Sequence, residues 1–363
     1  MTRRRRLLIV YWGRRGPIAR LGLDMMAAAA ANPEVDAWFS ASPENELSEA
    51  LQSLGARYAP VSTYRRAAGA LRFDRLATAR AALHRTVAEH AIDTVVTLMP
   101  HVWTPIAASG LSQLGARHVV VIHDAETHPG DPSGWIARYA DTAARHADLV
   151  VYLSRAVAGR AEGRHPRSII LFHPLLELPH APIPQRSASA SLRILFFGRI
   201  LAYKGLDLLI AACEQLRARG RRIDLTVAGE GNLDPWRDRL NQLGAAIQND
   251  WLTEHDLRTL LGNADLVAAP YKEASQSGVV ALALGAGVPV LATPVGGLIE
   301  QVRNGENALV ASAPSADAIA EAIDRVCVDP SLLQRLKMGA ARRDESFSAR
   351  AFLQAIVEAA AKA

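Results

Sequence analysis

The residues best equipped for chemistry lie in the second half of the chain, each group just past an apolar run of strand length. The first is Phe197-Gly198-Arg199-Ile200-Leu201-Ala202-Tyr203-Lys204-Gly205. Two fixed cations, Arg199 and Lys204, on one strand-to-helix loop suit a diphosphate, arginine as a planar fork and lysine as a point charge. Gly198 lets the chain leave the strand tightly. An ordinary basic surface loop is the competing reading. Gly229-Glu230-Gly231 follows the next run, where glycines permit close approach to a ligand or to a neighbouring loop. Next comes Glu273, ahead of Ser275-Gln276-Ser277-Gly278-Val279-Val280. Ser-Gly-Val-Val opening an Ala/Leu helix points free N–H groups and the positive helix end at a strand-end crevice, a ready anion site. The Glu273 carboxylate can accept hydrogen bonds from sugar hydroxyls, or it is simply an exposed loop acid. Gly296-Gly297 then opens a further helix with Glu300 in its first turn, where the acid complements the helix dipole or faces the crevice.

Such loops need strands to project them. Strand-length apolar runs stand at 7–11, 37–40, 94–98, 118–123 and 149–153, and again at 193–197, 224–228, 266–269, 288–292 and 308–310. Helical periods intervene, as at 21–31, 75–90, 206–219 and 233–243, and the tail from Ser315 is helical. Strand-then-helix repetition argues parallel βαβ units in an α/β fold. Residues 178–191 carry three prolines and then a Ser/Ala tract, the signature of a linker. The expected division is therefore a domain 1–177, a linker 178–191, a domain 192–345, and a last helix 346–363 returning to the first domain. Ligands of such sheets bind at the carboxyl ends of strands, and two such faces are expected across a cleft.

Composition bounds the rest. The 363 residues are 50% hydrophobic and 21% charged, enough for two ordinary cores and too apolar for wholesale disorder. Two cysteines cannot staple a fold, which fits a reducing compartment. The net charge is +5, and no nucleic-acid motif or aromatic-interleaved basic stripe accompanies it. Arg3–Arg6 precede an apolar run too short for a signal peptide or a bilayer span. A buried first strand flanked by solvated arginines is expected, with attraction to anionic lipid as the alternative. Gly13-Arg14-Arg15-Gly16 has the wrong spacing for a nicotinamide fingerprint.

The order Gly198-Arg199…Lys204-Gly205, Gly229-Glu230-Gly231, Pro270…Glu273…Ser277-Gly278, Gly287-Val288-Pro289-Val290 and Gly296-Gly297…Glu300 resembles glycosyltransferase family 4. These are retaining, nucleotide-sugar-dependent enzymes of GT-B architecture, with two facing Rossmann-like domains. The resemblance covers about a third of the chain, roughly 193–310, and rests on five motifs in sequence. It implies that Arg199 and Lys204 hold the donor diphosphate and stabilise the leaving nucleotide without a metal. It also implies that Glu273, with the backbone at Ser277, Gly278 and Val279, binds donor sugar and phosphates. The second glutamate of the family's pattern is missing: Ala281 stands eight positions after Glu273. Glu300 is the substitute candidate for the ribose. A subset of the family is more similar to this chain, with Ser-Gln-Ser-Gly in the loop and no second glutamate, so the loss does not imply inactivity. Gly13 and Gly16 fall where the family has a glycine loop near the donor phosphates. His123, ending a strand, corresponds to a histidine reaching the donor sugar near its anomeric centre, and packing or capping is its alternative. Asp124 and His128 are the acceptor-side candidates, and Asn249–Trp251 marks where base contacts fall.

Sugar–phosphate cleavage leaves an oxocarbenium-like sugar and a departing diphosphate, which cations and a helix N-terminus favour. In same-face attack the leaving phosphate takes the acceptor proton, consistent with no carboxylate pair at glycosidase spacing. The expected activity is transfer of a hexosyl group from a UDP- or GDP-sugar to a glycan, lipid-linked or cell-envelope acceptor, with no cofactor and no nucleic acid. The expected location is the cytoplasm or the inner membrane face. A non-catalytic sugar-nucleotide-binding partner and a sugar-nucleotide epimerase are the alternatives.

Overall fold

A computed structural model describes residues 4–64, 67–124, 141–178, 191–342 and 344–363. Candidate His128 and the linker stretch 179–190 lie outside the described residues. The chain divides into two compact units. Among the described residues the first takes in those up to Asp124, 141–174 and 345–363, and the second 175–178, 191–342 and Asp344.

The first unit carries a seven-stranded parallel sheet in the order β3-β2-β1-β4-β5-β6-β7. Its strands are β1 Arg5–Tyr11, β2 Val35–Ala41, β3 Tyr58–Pro60, β4 Thr94–Thr97, β5 Arg117–Ile122, β6 Leu149–Tyr152 and β7 Ser168–Ile170. The run Leu7–Tyr11 is buried on both faces, as a central parallel strand requires. Leu76, Ala79, Leu83 and Val87, spaced three and four apart on the helix Phe73–Glu89, bury one stripe against Leu8, Val10 and Val95. The helix Ala349–Lys362 packs on the helix Ile18–Ala30 through its own apolar stripe, Phe352, Leu353, Ile356 and Ala360. Arg117 adds a hydrogen bond to the Ala360 carbonyl at 2.8 Å. Arg5 and Arg6 belong to β1 itself, and Arg6 donates to the His90 carbonyl at 3.2 Å, so half of the expected solvated cluster is strand.

The second unit carries a six-stranded parallel sheet, β10-β9-β8-β11-β12-β13. These are β8 Leu192–Phe197, β9 Ile223–Ala228, β10 Ala246–Gln248, β11 Leu266–Ala269, β12 Val290–Ala292 and β13 Ala308–Val310. The order reverses at β8, which lies between β9 and β11, and that reversal opens a crevice beyond the carboxyl ends of β8 and β11. The helices Leu206–Ala218 and Ala316–Val328 cover one face with Leu209, Ile210, Leu216, Ile319 and Ile323. Asp265, just before β11, takes two guanidinium hydrogen bonds of 2.9 Å from Arg193 and one of 2.6 Å from Lys337. This ion cluster ties β8, β11 and the helix Pro330–Ala341 together.

Two expectations need correction. The edge strands β3, β7 and β10 have three residues each and no fully buried position, so no apolar run marks them in the sequence. Gly296-Gly297 opens a single 3₁₀ turn, Gly296–Glu300, rather than an α-helix. Glu300 closes that turn instead of starting a helix, so the helix-dipole role expected of it does not arise. No helix among the described residues is long and apolar enough to cross a membrane.

Candidate functional site

Loops after β8, β9 and β11, at the carboxyl edge of the second sheet, bring Gly198, Lys204, Gly229 and Val279 together. Beyond β8 and β9 the two chains stay paired: Gly198 N–H donates to Ala228 at 3.0 Å and Ile200 N–H to Glu230 at 2.9 Å. At Gly229, with φ +132°, a Cβ would lie 2.1 Å from the Gly198 carbonyl oxygen. Gly229 thus serves the neighbouring loop, the second of the two roles its sequence allowed. The Glu230 side chain is exposed.

Lys204 ends the 3₁₀ turn Ala202–Lys204 and is buried, at 8% exposure, while Arg199 is exposed. Its Nζ lies 5.5 Å from the centre of the Tyr271 ring. A Cβ at Gly198 would come within 3.2 Å of that Nζ and of Val279 Cγ2, so Gly198, Lys204 and Val279 converge. No carboxylate among the described residues makes an ion pair with Lys204. Burial, and then the charge of Arg199, lower its pKa to about 8. Lys204 thus places a buried positive charge near a second cation, Arg199.

The β11 loop supplies the rest. Lys272 N–H donates to the Tyr203 carbonyl at 2.7 Å, fastening this loop to the β8 loop, and Lys272 Nζ pairs with Asp207 at 2.7 Å. Glu273 is half-buried. Ser277 caps the helix Gly278–Gly285, its Oγ accepting from Val280 N–H. The Tyr271 hydroxyl meets the same Oγ at 3.0 Å. Ala281, where the family resemblance leaves the second glutamate missing, is buried inside this helix, and its carbonyl accepts from Leu176 N–H at 3.2 Å. Glu300 is exposed. Asn249 follows β10, and its Oδ1 is buried with no hydrogen-bond partner among the described residues.

In the first unit, His123 follows β5 and is buried, and its Nε2 meets the Leu98 carbonyl at 2.8 Å. A carbonyl only accepts, so Nε2 carries the proton. Burial lowers the His123 pKa against the opposing pull of Asp124, which is exposed beside it. His173 packs edge-on to His123 at 6.0 Å, its own pKa lowered to about 4 by burial and then by His123. Gly13 and Gly16 frame a fastened loop. The Gly13 carbonyl accepts from Asn45 Nδ2 at 2.8 Å, Gly16 N–H donates to Glu46 at 2.7 Å, and the Tyr11 hydroxyl donates to the Arg15 carbonyl at 2.7 Å.

Tyr271, His173, Asn45, Glu46 and Gln301 are site-supporting residues that sequence reasoning missed. A polar residue directly after a motif glutamate was the only signal for Gln301. Among the described residues no three His, Cys, Asp or Glu side chains gather as a metal site.

Residues 191–329 match the family model described as glycosyl transferases group 1. An uncharacterized glycosyltransferase of Methanocaldococcus jannaschii is 34% identical over 141 residues, 38% of this chain and 36% of that protein. The chain thus spans about a third of that relative's length. The GDP-mannose-dependent alpha-(1-6)-phosphatidylinositol monomannoside mannosyltransferase of Mycolicibacterium smegmatis is 28% identical over 293 residues, covering 70% of this chain and 72% of that one. Anabaena HepE, solved with UDP and glucose, superposes with a TM-score of 0.72 at 17% identity, covering 98% of this chain and 99% of HepE. The fold is GT-B, and the matches support a glycosyltransferase.

Proposed function

We propose that the chain is a retaining, metal-independent hexosyltransferase that takes its sugar from a UDP- or GDP-linked donor. The observation that carries this reading is the buried Lys204 beside Arg199, in ion pair with no carboxylate among the described residues, at the strand-order reversal and next to Val279 at a helix start. Paired cations and backbone N–H groups stabilise charge that grows on a departing diphosphate. Glu273 would hold sugar hydroxyls, Asn249 would meet the base, and Glu300 would reach the ribose from the β12 loop. His123, kept neutral by burial, would orient the sugar near its anomeric carbon, while Asp124 and His128 would face the acceptor. No general base need be supplied, because the leaving phosphate can take the acceptor's proton in same-face attack.

A glycan or lipid-linked envelope precursor is the acceptor class we favour. Support comes from the mycolicibacterial relative, whose name gives a GDP-mannose donor and a phosphatidylinositol mannoside acceptor. HepE, crystallised with UDP and glucose, supports a UDP-linked donor, and the mycolicibacterial name supports a GDP-linked one. We further propose that 178–191 is the linker between a domain 1–177 and a domain 192–345, and that the enzyme works in the cytoplasm or against its membrane.

Thermal-shift titration with UDP, GDP and their hexose conjugates tests the donor assignment, since a ligand bound only by the folded state raises its melting temperature. A shift abolished in Arg199→Ala and Lys204→Ala is expected, and no shift with any of them overturns the assignment. Product analysis with donor alone separates transfer from epimerisation. Binding without turnover across acceptors favours a non-catalytic partner.

A further inference from the structure

We propose that Gln301 is a positioning residue of the donor site, gripping the Ser277 peptide group so that only chosen N–H groups of the Gly278–Gly285 helix face the diphosphate. This rests on the donor reading above. Gln301 is buried, and its amide pairs with Ser277 at both ends, Oε1 accepting from Ser277 N–H at 2.6 Å and Nε2 donating to the Ser277 carbonyl at 3.1 Å. That is the pairing a neighbouring strand would make, supplied here by one side chain.

The β12 loop is built to deliver it. Gly296, with φ +47°, begins the 3₁₀ turn so close to the β11 loop that a Cβ would lie 1.8 Å from the Ala274 carbonyl oxygen. Gly297 N–H donates to that carbonyl at 3.2 Å, and Thr293 Oγ1 donates to the Tyr271 carbonyl at 2.5 Å. The β11 loop is therefore held at Tyr271, Ala274 and Ser277 by the loop of the next strand.

The grip sorts the helix start. Ser277 N–H is committed to Gln301, and Val280 N–H is capped by Ser277 Oγ at 3.3 Å. Among the described residues the N–H groups of Gly278 and Val279 have no acceptor and are left to meet an anion, and Val279 is the residue that approaches Gly198 and thus the Lys204 ammonium. Glutamine alone meets both demands at neutral pH: glutamate has no donor, and asparagine is one methylene short.

Gln301→Met keeps length and volume but makes neither bond, and Gln301→Glu makes both only while its carboxyl is protonated. UDP and GDP binding is measured by calorimetry from about pH 5 to pH 8 in wild type and both variants, with circular dichroism and hydrogen exchange at Ser277. Gln301→Met should bind the wild-type nucleotide about tenfold or more weakly at every pH. Its helix content should be unchanged, and exchange at Ser277 N–H should be faster. Gln301→Glu should match wild type near pH 5 and fall towards Gln301→Met near pH 8, a profile that a purely structural loss cannot give. Wild-type affinity in both variants overturns the inference, as does a pH-independent loss in Gln301→Glu that tracks a fallen melting temperature. If wild type binds neither UDP nor GDP, the donor reading itself fails and takes this inference with it.

Discussion

The Lys204 ammonium lies 5.5 Å from the centre of the Tyr271 ring, and the hydroxyl of that ring reaches the cap of the next helix at Ser277. Tyr271 so links the buried cation of the β8 loop to the helix start of the β11 loop. The ring face offsets part of the cost of burying a charge, and no carboxylate among the described residues pairs with it.

A pH dependence follows. The Lys204 pKa is lowered to about 8, so under the proposed donor assignment nucleotide binding should weaken as pH rises through that value. Well above it, affinity for UDP or GDP should approach a tenfold loss per pH unit, because binding must then take up a proton. Calorimetric titration between about pH 7 and pH 10 measures the slope. A flat profile would remove Lys204 from the anion site.

Stability should move the other way. The pKa of Lys204 is lowered on folding, from 10.5 to about 8, so between those values the unfolded chain binds more protons and stability rises with pH. Below about 8 the whole cost of the buried charge is present, on the order of 3 kcal/mol as an upper bound. Lys204→Met, similar in length and uncharged, should therefore melt higher than wild type at pH 7 while losing nucleotide binding. That advantage should shrink as the pH approaches about 10. Urea unfolding of both proteins at two pH values decides the matter, and a variant less stable at pH 7 would refute it.

Asp265 sets the opposite case. Burial pushes its carboxyl pKa up, yet hydrogen bonds from Arg193 and Lys337 outweigh that and bring it to about 2. Its folded pKa lies below the unfolded one, so its contribution is full above about pH 4 and fades as pH falls towards 2. Asp265→Ala strands two cations and should cost about 3 kcal/mol at neutral pH. The gap between variant and wild type in urea midpoint should narrow on acidification below pH 4. A constant gap would show that packing rather than charge is responsible.

How much of this was legible in the sequence depends on how far each signal is local. Ten strands and the long helices announce themselves because parallel strands buried on both faces leave continuous apolar runs, Leu266–Ala269 among them. The position of Arg199, Lys204 and Ser277 on loops after strands was legible because each follows an apolar run. The edge strand Ser168–Ile170 has no such run, since its two end residues are exposed. Gln301 was hidden because its partner lies 24 positions earlier and is a backbone group, which no residue type advertises. Glu300 was misplaced because Gly296 takes a left-handed conformation and tightens the turn to 3₁₀.

The C-terminal helix offers a test of core membership at the far end of the chain. Phe352 is fully buried in the first unit, its ring 5.9 Å from Phe172. Phe352→Ala should lose about 3–5 kcal/mol, the usual cost of emptying a buried aromatic site. Chemical denaturation followed by circular dichroism measures it. A loss below about 1 kcal/mol would mean that this helix frays from the unit in solution.

Asn249 separates stability from binding. Its buried Oδ1 accepts no hydrogen bond among the described residues, and a polar atom in that state lowers stability. Asn249→Ala removes it and should leave the melting temperature unchanged or slightly raised. If the proposed base contact is right, the same substitution should weaken UDP or GDP binding by about tenfold, because the base loses the acceptor waiting for its N–H. Asn249→Asp keeps an acceptor at that position and should retain more affinity than Asn249→Ala. Melting curves with and without nucleotide report both quantities from one set of samples. Equal nucleotide shifts in all three proteins would move the base contact elsewhere, and a fallen melting temperature in Asn249→Ala would show that the oxygen already has a partner.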